Sequence, residues 1–190
     1  KLVAAPGSGC HWSLLNSNLL ALLLDQHGGD FEDYVQKRVF APAGMTSAVF
    51  CGDRQVPAAH VTFRLENGKP PQPANAFPWD WGQKGGRGVL LSIGDVGAFA
   101  QALLGGKWLD QARRDELLRP LPGGDPLRVQ SVDRGGVAWT QLHGAVGGYR
   151  SRILLQPKAR CWIAILAGEQ DLDPLEAALV AALLPSLPAL

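Results

Sequence analysis

The residue types that most often do chemistry are spread widely along this chain. Its four histidines stand in no frame typical of a metal site; they are His11, His27, His60 and His143. The glycine-rich run 85–88 lacks the Lys-Ser/Thr pair of a phosphate loop and precedes a predicted strand rather than a helix. No G-x-S-x-G nucleophile elbow occurs. Local motifs therefore predict no metal site, no phosphate site and no cofactor.

The cysteines and the paired carboxylates also lack a chemical pattern. Cys10, Cys51 and Cys161 are too widely spaced for a metal-binding pair or a disulfide framework. Three buried thiols, or one disulfide with a free thiol, would both fit, so the cysteines do not decide between an oxidising and a reducing compartment. Neighbouring carboxylates such as Glu32 and Asp33 are typical of solvated helix ends.

Composition excludes several broad classes of function. The chain has 190 residues, 46% apolar and 18% charged, with a net charge of +1. This length fits a single domain over 1–190 with a sizeable core. The balanced charge offers no basic stripe for nucleic acid. No apolar run approaches the roughly 18 residues of a membrane span, so neither nucleic acid nor a membrane span is expected.

The first two thirds of the chain are predicted to be mainly helical. Apolar spacing predicts a helix over 12–26, and Asp30 is placed to cap a second helix that ends at Val39. A short strand over 88–91 precedes Ser92 and Asp95, which form a capping-box pattern for a third helix. A further short helix is predicted over 109–118. The helical regions 1–50 and 88–120 are separated by a loop-rich region, 51–87, with a strand-like stretch at 61–65 and an Asn-Gly hairpin turn after it.

The last part, residues 135–190, has a different pattern. Three segments have strand character, 137–142, 150–155 and 161–167, and short turns join them. This spacing predicts an antiparallel meander. A final apolar helix over 174–184 is expected to pack on it. The order of elements indicates an α+β fold in which helices flank an antiparallel sheet.

Four segments, in order, resemble the motifs of one enzyme family. Residues 6–20 (PGSGCHWSLLNSNLL) resemble a Pro-Gly turn, an aromatic-led Y-x-N motif and a helix. Residues 31–48 resemble an F-x-x-Y-V … I-x-x-P-L-G-M-x-x-T segment, and residues 88–99 a G-G-L-x-S-T-x-x-D-L-x-x-F segment. Residues 143–151 resemble an H-x-G-G-x-x-G-F-x-S strand, one residue short of its usual spacing. Together they resemble the serine hydrolases related to class C β-lactamases and penicillin-binding proteins.

This resemblance implies a β-lactamase/transpeptidase-like fold and a specific chemistry. In that family a serine in an S-x-x-K motif attacks an amide or ester carbonyl and forms an acyl-enzyme. Lysine and the Y-x-N tyrosine share the proton transfer, because a serine hydroxyl needs a nearby base. The H-x-G or K-T-G strand lines the pocket and supplies an N–H to the oxyanion. Family members of this kind are periplasmic or secreted, whereas the residues themselves leave localisation unknown.

The chain departs from the family pattern at its reactive positions. No serine is followed by a lysine three residues later. The family's S-x-x-K helix lies upstream of the tyrosine motif, so the chain corresponds to the C-terminal half of a member. Nucleophile and base are therefore expected outside it. Trp12 stands at the tyrosine position and Leu14 at the asparagine position. An indole cannot relay a proton as a phenol can, so no catalytic residue is assigned within the chain.

The resemblance also predicts that the fold is incomplete without an N-terminal segment. The family's sheet takes strands from both ends of the chain, so the predicted strands would leave an open edge and an uncovered apolar face. The completing segment could belong to the same protein, to a separate chain produced by cleavage, or to a partner protein.

Five residues are predicted to contact a small-molecule or peptide substrate: His143, Gly144, Ala145, Asn16 and Trp81. His143 could line the cleft or be a strand-edge histidine with an ordinary hydrogen bond. The aromatic loop that carries Trp81 could overhang the cleft or pack onto the body of the protein. Two functions stay open. The chain could be part of a serine hydrolase, or it could be a catalytically inactive binding or scaffold relative.

Overall fold

The computed structural model describes residues 13–51, 84–119, 129–146, 148–168 and 171–188, together with Ala5 and Ser8. The predicted strand at 61–65, its hairpin turn and the aromatic loop with Trp81 lie outside the described residues, as does Trp12. The helices, the sheet and the central part of the candidate site lie within them.

The N-terminal part is helical, as the apolar spacing predicts. Helix α1 spans Leu14–Gly28, and the Ser13 side chain accepts a hydrogen bond from the Leu15 N–H at its start. Helix α2 spans Phe31–Val35 and begins at Asp30, whose carboxylate accepts from two backbone N–H groups. The helix does not end at Val39, because a π-helical turn, Gln36–Phe40, and helix α3, Ala41–Ala43, continue it.

A small sheet and two helices follow. Strands β1, Val49–Phe50, and β2, Val89–Leu90, pair antiparallel. Helix α4 spans Ile93–Leu104, and its capping box of Ser92 and Asp95 is confirmed, with each side chain bonded to the other's backbone N–H. Helix α5 spans Gln111–Leu117.

The last part is an antiparallel meander of four strands. They are β3, Val129–Arg134; β4, Val137–Val146; β5, Tyr149–Gln156; and β6, Cys161–Gly168. Their order is β3-β4-β5-β6. The three predicted strands are confirmed and β3 is an addition. Helix α6, Asp173–Leu183, follows and continues into a short 3-10 turn, Leu184–Ser186.

Helices cover both faces of this sheet. One face packs against α6 around a buried core of six residues: Trp139, Leu154, Ile163, Ile165, Leu172 and Val180. The other packs against α4 and α5 around a second core: Ala100, Leu103, Leu104, Leu118 and Leu155. Helix α4 approaches β6 so closely that a Cβ at Gly97 would lie 2.8 Å from the Trp162 ring. These two layers confirm the predicted α+β class.

Ion pairs attach α6 to the sheet. The Glu176 carboxylate is 2% exposed, and it accepts hydrogen bonds from Arg134 Nε and, at 2.8 Å, from an Arg152 terminal nitrogen. The same Arg152 nitrogen bonds the exposed Asp173 at 2.6 Å. A carboxylate this deeply buried needs such partners, because an unpaired buried charge is strongly destabilising.

One edge of the sheet and two apolar helix surfaces are uncovered within the described residues. Beyond β6 no described strand pairs with the sheet, so its outer backbone edge is free of a ladder there. Leu175 and Leu179 on α6 are 48% and 37% exposed, and α1 carries a larger exposed set of leucines. No described helix combines the length and apolar character that crossing a membrane requires.

Candidate active-site cleft

The predicted site strand is the second half of β4. In its ladder with β5, His143 is opposite Arg152, Gly144 is opposite Ser151, and Ala145 is opposite Arg150. The ladder with β3 ends earlier, at the pair Val129 and Leu142. Residues 144–146 therefore have no strand partner on that side among the residues the structure describes. Within those residues, the backbone N–H and C=O groups on this edge take part in no strand ladder, and they alternate in direction along the strand.

Alternation along β4 separates the predicted site residues onto two faces. His143 and Ala145 share the face of Trp139, which packs against α6. Gly144 lies on the opposite face, with Leu142, which packs towards α4. The three predicted substrate contacts therefore do not share one face of the strand. Of the three, Gly144 alone is on the α4 face.

Gly144 gives this face a flat, open strand. A Cβ at Gly144 would lie 2.7 Å from the Ser151 hydroxyl, so a larger residue would force the Ser151 side chain to turn away. With glycine, the Ser151 side chain and the bare Gly144 backbone lie side by side. A ligand can approach a strand most closely where the side chain is absent.

Tyr149 and Cys51 form a corner beside this strand. Tyr149 is on the same face of β5 as Ser151, since the two are separated by one residue. Burial raises the pKa of the Tyr149 phenol, and the nearby Cys51 thiol raises it further. Cys51 follows β1, and its N–H donates to the Gly88 carbonyl at 2.6 Å. The end of the small sheet therefore lies within electrostatic range of Tyr149, on the α4 face of β5.

Residues 84–88 connect helix α1 to the small sheet. A Cβ at Gly86 would lie 2.2 Å from a Leu14 methyl carbon, and one at Gly85 would lie 2.5 Å from the Ser17 carbonyl oxygen. Lys84 donates to both Asp25 carboxylate oxygens, at 3.1 and 3.0 Å. These contacts run from Leu14 to Asp25 and hold most of the length of α1 against the segment that leads into β2.

The Y-x-N-like position is apolar in the folded chain. Leu14, at the asparagine position, packs on Gly86 and offers no polar group to the cleft. Asn16 is exposed on α1, and Asn18 is partly buried. Trp12 and Trp81 lie outside the described residues, so their contacts with substrate stay predictions.

Sequence reasoning assigned no role to Ser47, Tyr149 or Cys51. Ser47 donates to a carboxylate oxygen of Asp95 at 2.5 Å and so ties the loop before β1 to the start of α4. Hydrogen bonds from Ser47 and from Ser92 hold the Asp95 pKa below its ordinary value, although burial opposes them. The S-x-x-D pattern predicted the capping box of Ser92 and Asp95. The contact with Ser47 could not be predicted, because Ser47 is 48 residues away from Asp95 in the sequence.

The described residues hold no metal-type cluster. No group of three or more His, Cys, Asp or Glu side chains converges within the ranges the structure describes. Burial raises the pKa of both the Cys51 and the Cys161 thiols, which makes them poor nucleophiles near neutral pH. What these ranges offer is a strand edge, a glycine, hydroxyl groups and an apolar helix start.

Comparison with known proteins identifies the architecture. A family model described as Beta-lactamase matches residues 1–184. A human protein whose name describes it as beta-lactamase-like 1 is 30% identical over 189 residues, which cover 91% of this chain and 37% of the relative. A Bacillus subtilis protein named as a penicillin-binding protein, PbpX, is 31% identical over 57% of this chain and 28% of its own length.

Solved structures agree with this assignment of the fold. A D-amino acid amidase from Ochrobactrum anthropi superposes with a TM-score of 0.75 at 16% identity, covering 96% of this chain and 61% of the amidase. A penicillin-binding protein from Bacillus halodurans gives a TM-score of 0.72 at 21% identity, covering 93% of this chain and 57% of its own. The chain thus spans little over a third of the human relative and about six tenths of these two solved chains, and it belongs to the beta-lactamase family.

Proposed function

We propose that these residues form one wall of the cleft of a serine hydrolase, which cleaves an amide or ester through an acyl-enzyme. The reactive serine and its lysine base are contributed from outside the 190 residues, by a segment of the same protein or by a separate chain. The substrate is a small molecule or a peptide. The proposal rests on one observation, the edge of β4 at residues 144–146, which has no strand partner among the described residues, in a chain of this family.

The chemistry of acyl transfer explains why this edge suits the task. The carbonyl oxygen of the substrate gains negative charge when the serine attacks, and donors aimed at that oxygen stabilise the transition state. A strand that has lost its neighbour offers backbone N–H groups in fixed positions. Gly144 leaves space for a substrate to lie along them. The wall therefore binds and orients, while the bond-breaking groups come from elsewhere.

Labelling with a fluorophosphonate probe tests this proposal, because such probes form a covalent adduct with an activated serine. The natural gene product that contains these residues is incubated with the probe and digested, and the modified serine is located by mass spectrometry. An adduct on a serine outside residues 1–190 supports the proposal. An adduct on one of the eight serines within the chain would place the nucleophile there and refute it.

A glycine pair gives a matched control for the wall itself. Gly144→Ala should reduce the rate of probe labelling by roughly tenfold or more, because small displacements in a reacting site are costly. Gly168→Ala is the control, since a Cβ there meets no atom within 4 Å. Both variants should keep a cooperative melting transition. Equal labelling rates in the two variants would show that the β4 edge is not part of the reactive site.

A second candidate, an inactive binding or scaffold protein, is favoured by a specific observation. Leu14 fills its position with an apolar contact to Gly86, where the family pattern has a polar side chain. Together with Trp12 this removes the proton relay that the resemblance implies. If the folded natural gene product forms no adduct with the probe, this second function is the one supported.

A further inference from the structure

Helix α1 has two apolar faces rather than one. Its inner face packs Leu14 and Ala21 against residues 84–86. Five leucines of α1 are exposed, and four of them lie together on its outer face and form what we call the leucine stripe: Leu15 at 71%, Leu19 at 55%, Leu22 at 37% and Leu23 at 44% exposure, with Leu20 at 60% beside them. Their spacing of four, three and one residues places them on one side of the helix.

The charge pattern of α1 is not that of a helix at a protein surface. A surface helix normally has charged residues on the side away from the core, whereas a helix that is apolar all round is buried. Among Leu14–Gly28 the one Asp, Glu, Lys or Arg is Asp25, and it turns inwards to Lys84. The outer face therefore carries leucines and the uncharged Asn16 and Gln26, and no charged residue.

Lipid and a second copy of this chain are poor occupants of the stripe. An interfacial helix carries lysine or arginine on its polar face, and α1 has neither. A helix of 15 residues is about 22 Å long and 10 Å wide, so one face presents only a few hundred Å². A stable dimer buries about 800 Å² on each partner. The stripe instead matches the area of one helix packed against another.

We infer that the leucine stripe is the docking surface for an apolar helix from the part of the fold that lies outside these 190 residues. The inference rests on the proposed function, in which an outside segment supplies the reactive groups. The two solved chains are long enough to contain such a helix outside the matched region, since this chain spans 61% of the amidase and 57% of the penicillin-binding protein. Helix α1 would then be a central helix, with residues 84–86 on its inner side and the completing segment on its outer side.

Photo-crosslinking from the stripe identifies its occupant. A p-benzoylphenylalanine residue is introduced at position 15 of the natural gene product, and the crosslinked peptides are identified after irradiation. A crosslink within the same molecule to a segment outside residues 1–190, or to a separate completing chain, is the expected result. A crosslink to a peptide within residues 1–190, or to the same peptide of a second copy, would overturn the inference.

Cysteine accessibility gives a second readout with a smaller side chain. Leu19→Cys should react with a charged maleimide at least tenfold more slowly in the folded natural gene product than in urea. Ala112→Cys, on the exposed face of the charged helix α5, is the control and should be little protected. Equal reaction of the two folded variants would refute the docking surface, as would protection that appears only with lipid vesicles. A serine adduct together with a fast-reacting Leu19→Cys would refute this inference alone and leave the proposed function standing.

Discussion

Glu176 is the side chain whose replacement tests most directly how α6 is held on the sheet. It is 2% exposed and accepts hydrogen bonds from Arg134 and Arg152. Glu176→Gln keeps the shape of the side chain but removes the charge. Each charge-assisted hydrogen bond contributes about 1.5–3 kcal/mol, so the two bonds set an upper bound of about 6 kcal/mol. Arg152 keeps its bond to Asp173, and Arg134 is 35% exposed and can turn to water.

The expected loss of unfolding free energy for Glu176→Gln is therefore about 2–4 kcal/mol. For a domain of this size that loss lowers Tm by about 4–16 °C. Thermal and urea denaturation, followed by circular dichroism, measure it. Asp173→Asn is the matched control, because it removes a fully exposed carboxylate from the same Arg152 and should leave Tm nearly unchanged. A wild-type Tm for Glu176→Gln, or an equal drop for both variants, would show that burial does not decide the strength of these bridges.

Two further predictions concern caps and turns. Asp95→Asn should lower the unfolding free energy by about 2–4 kcal/mol at pH 7, because it weakens the helix cap and the bond from Ser47. Since the folded pKa of Asp95 is depressed, the contribution of its charge is fully present above the unfolded pKa of about 4 and is lost as the pH falls through the folded pKa, so the difference in melting temperature between variant and wild type should shrink as the pH is lowered below about 4. Arg160 has a φ of 53°, so Arg160→Gly should raise the unfolding free energy by about 0.5–1 kcal/mol. Gly136→Ala, at a φ of 79° with no atom near its Cβ, should lower it by about 1 kcal/mol, and the same sign for both would contradict the argument from backbone strain.

Local patterns predicted the elements whose causes are local. The cap of α4 depends on two residues three positions apart, and it was predicted and confirmed. The three main strands were confirmed because apolar side chains dominate them and short turns bound them. Helix α2 continues past its predicted end because Pro42 falls in the first turn of α3, where a missing N–H does no harm.

Strand β3 escaped prediction because its inward face is polar. Gln130 and Arg134 share the α6 face with the apolar Val132. They bond Gln141 and Glu176 there. Polar residues on this face, only partly buried in β3 itself, break the apolar alternation on which strand prediction depends. The partner residues come from other elements, so no window of sequence contains the pattern.

The faces of β4 could not be assigned from the sequence for a related reason. A shift of one residue along a strand moves every side chain to the opposite face. The H-x-G resemblance fits one residue short, so the motif alone could not decide whether His143 or its neighbour faces α4. The register with β5, together with the packing of Trp139, places His143 on the α6 side and Gly144 on the other.

The two candidate functions share one cleft wall and differ only in how a proton would move. In both proposals the β4 edge, with Gly144 and Ser151, is the surface that would contact a substrate. A hydrolase also needs a base for its serine, and neither Leu14 nor an indole at position 12 can act as one. The Tyr149 phenol cannot replace them near neutral pH, because burial raises its pKa. In the proposed hydrolase, both the nucleophile and its base come from the completing segment, so turnover of substrate would depend on that segment.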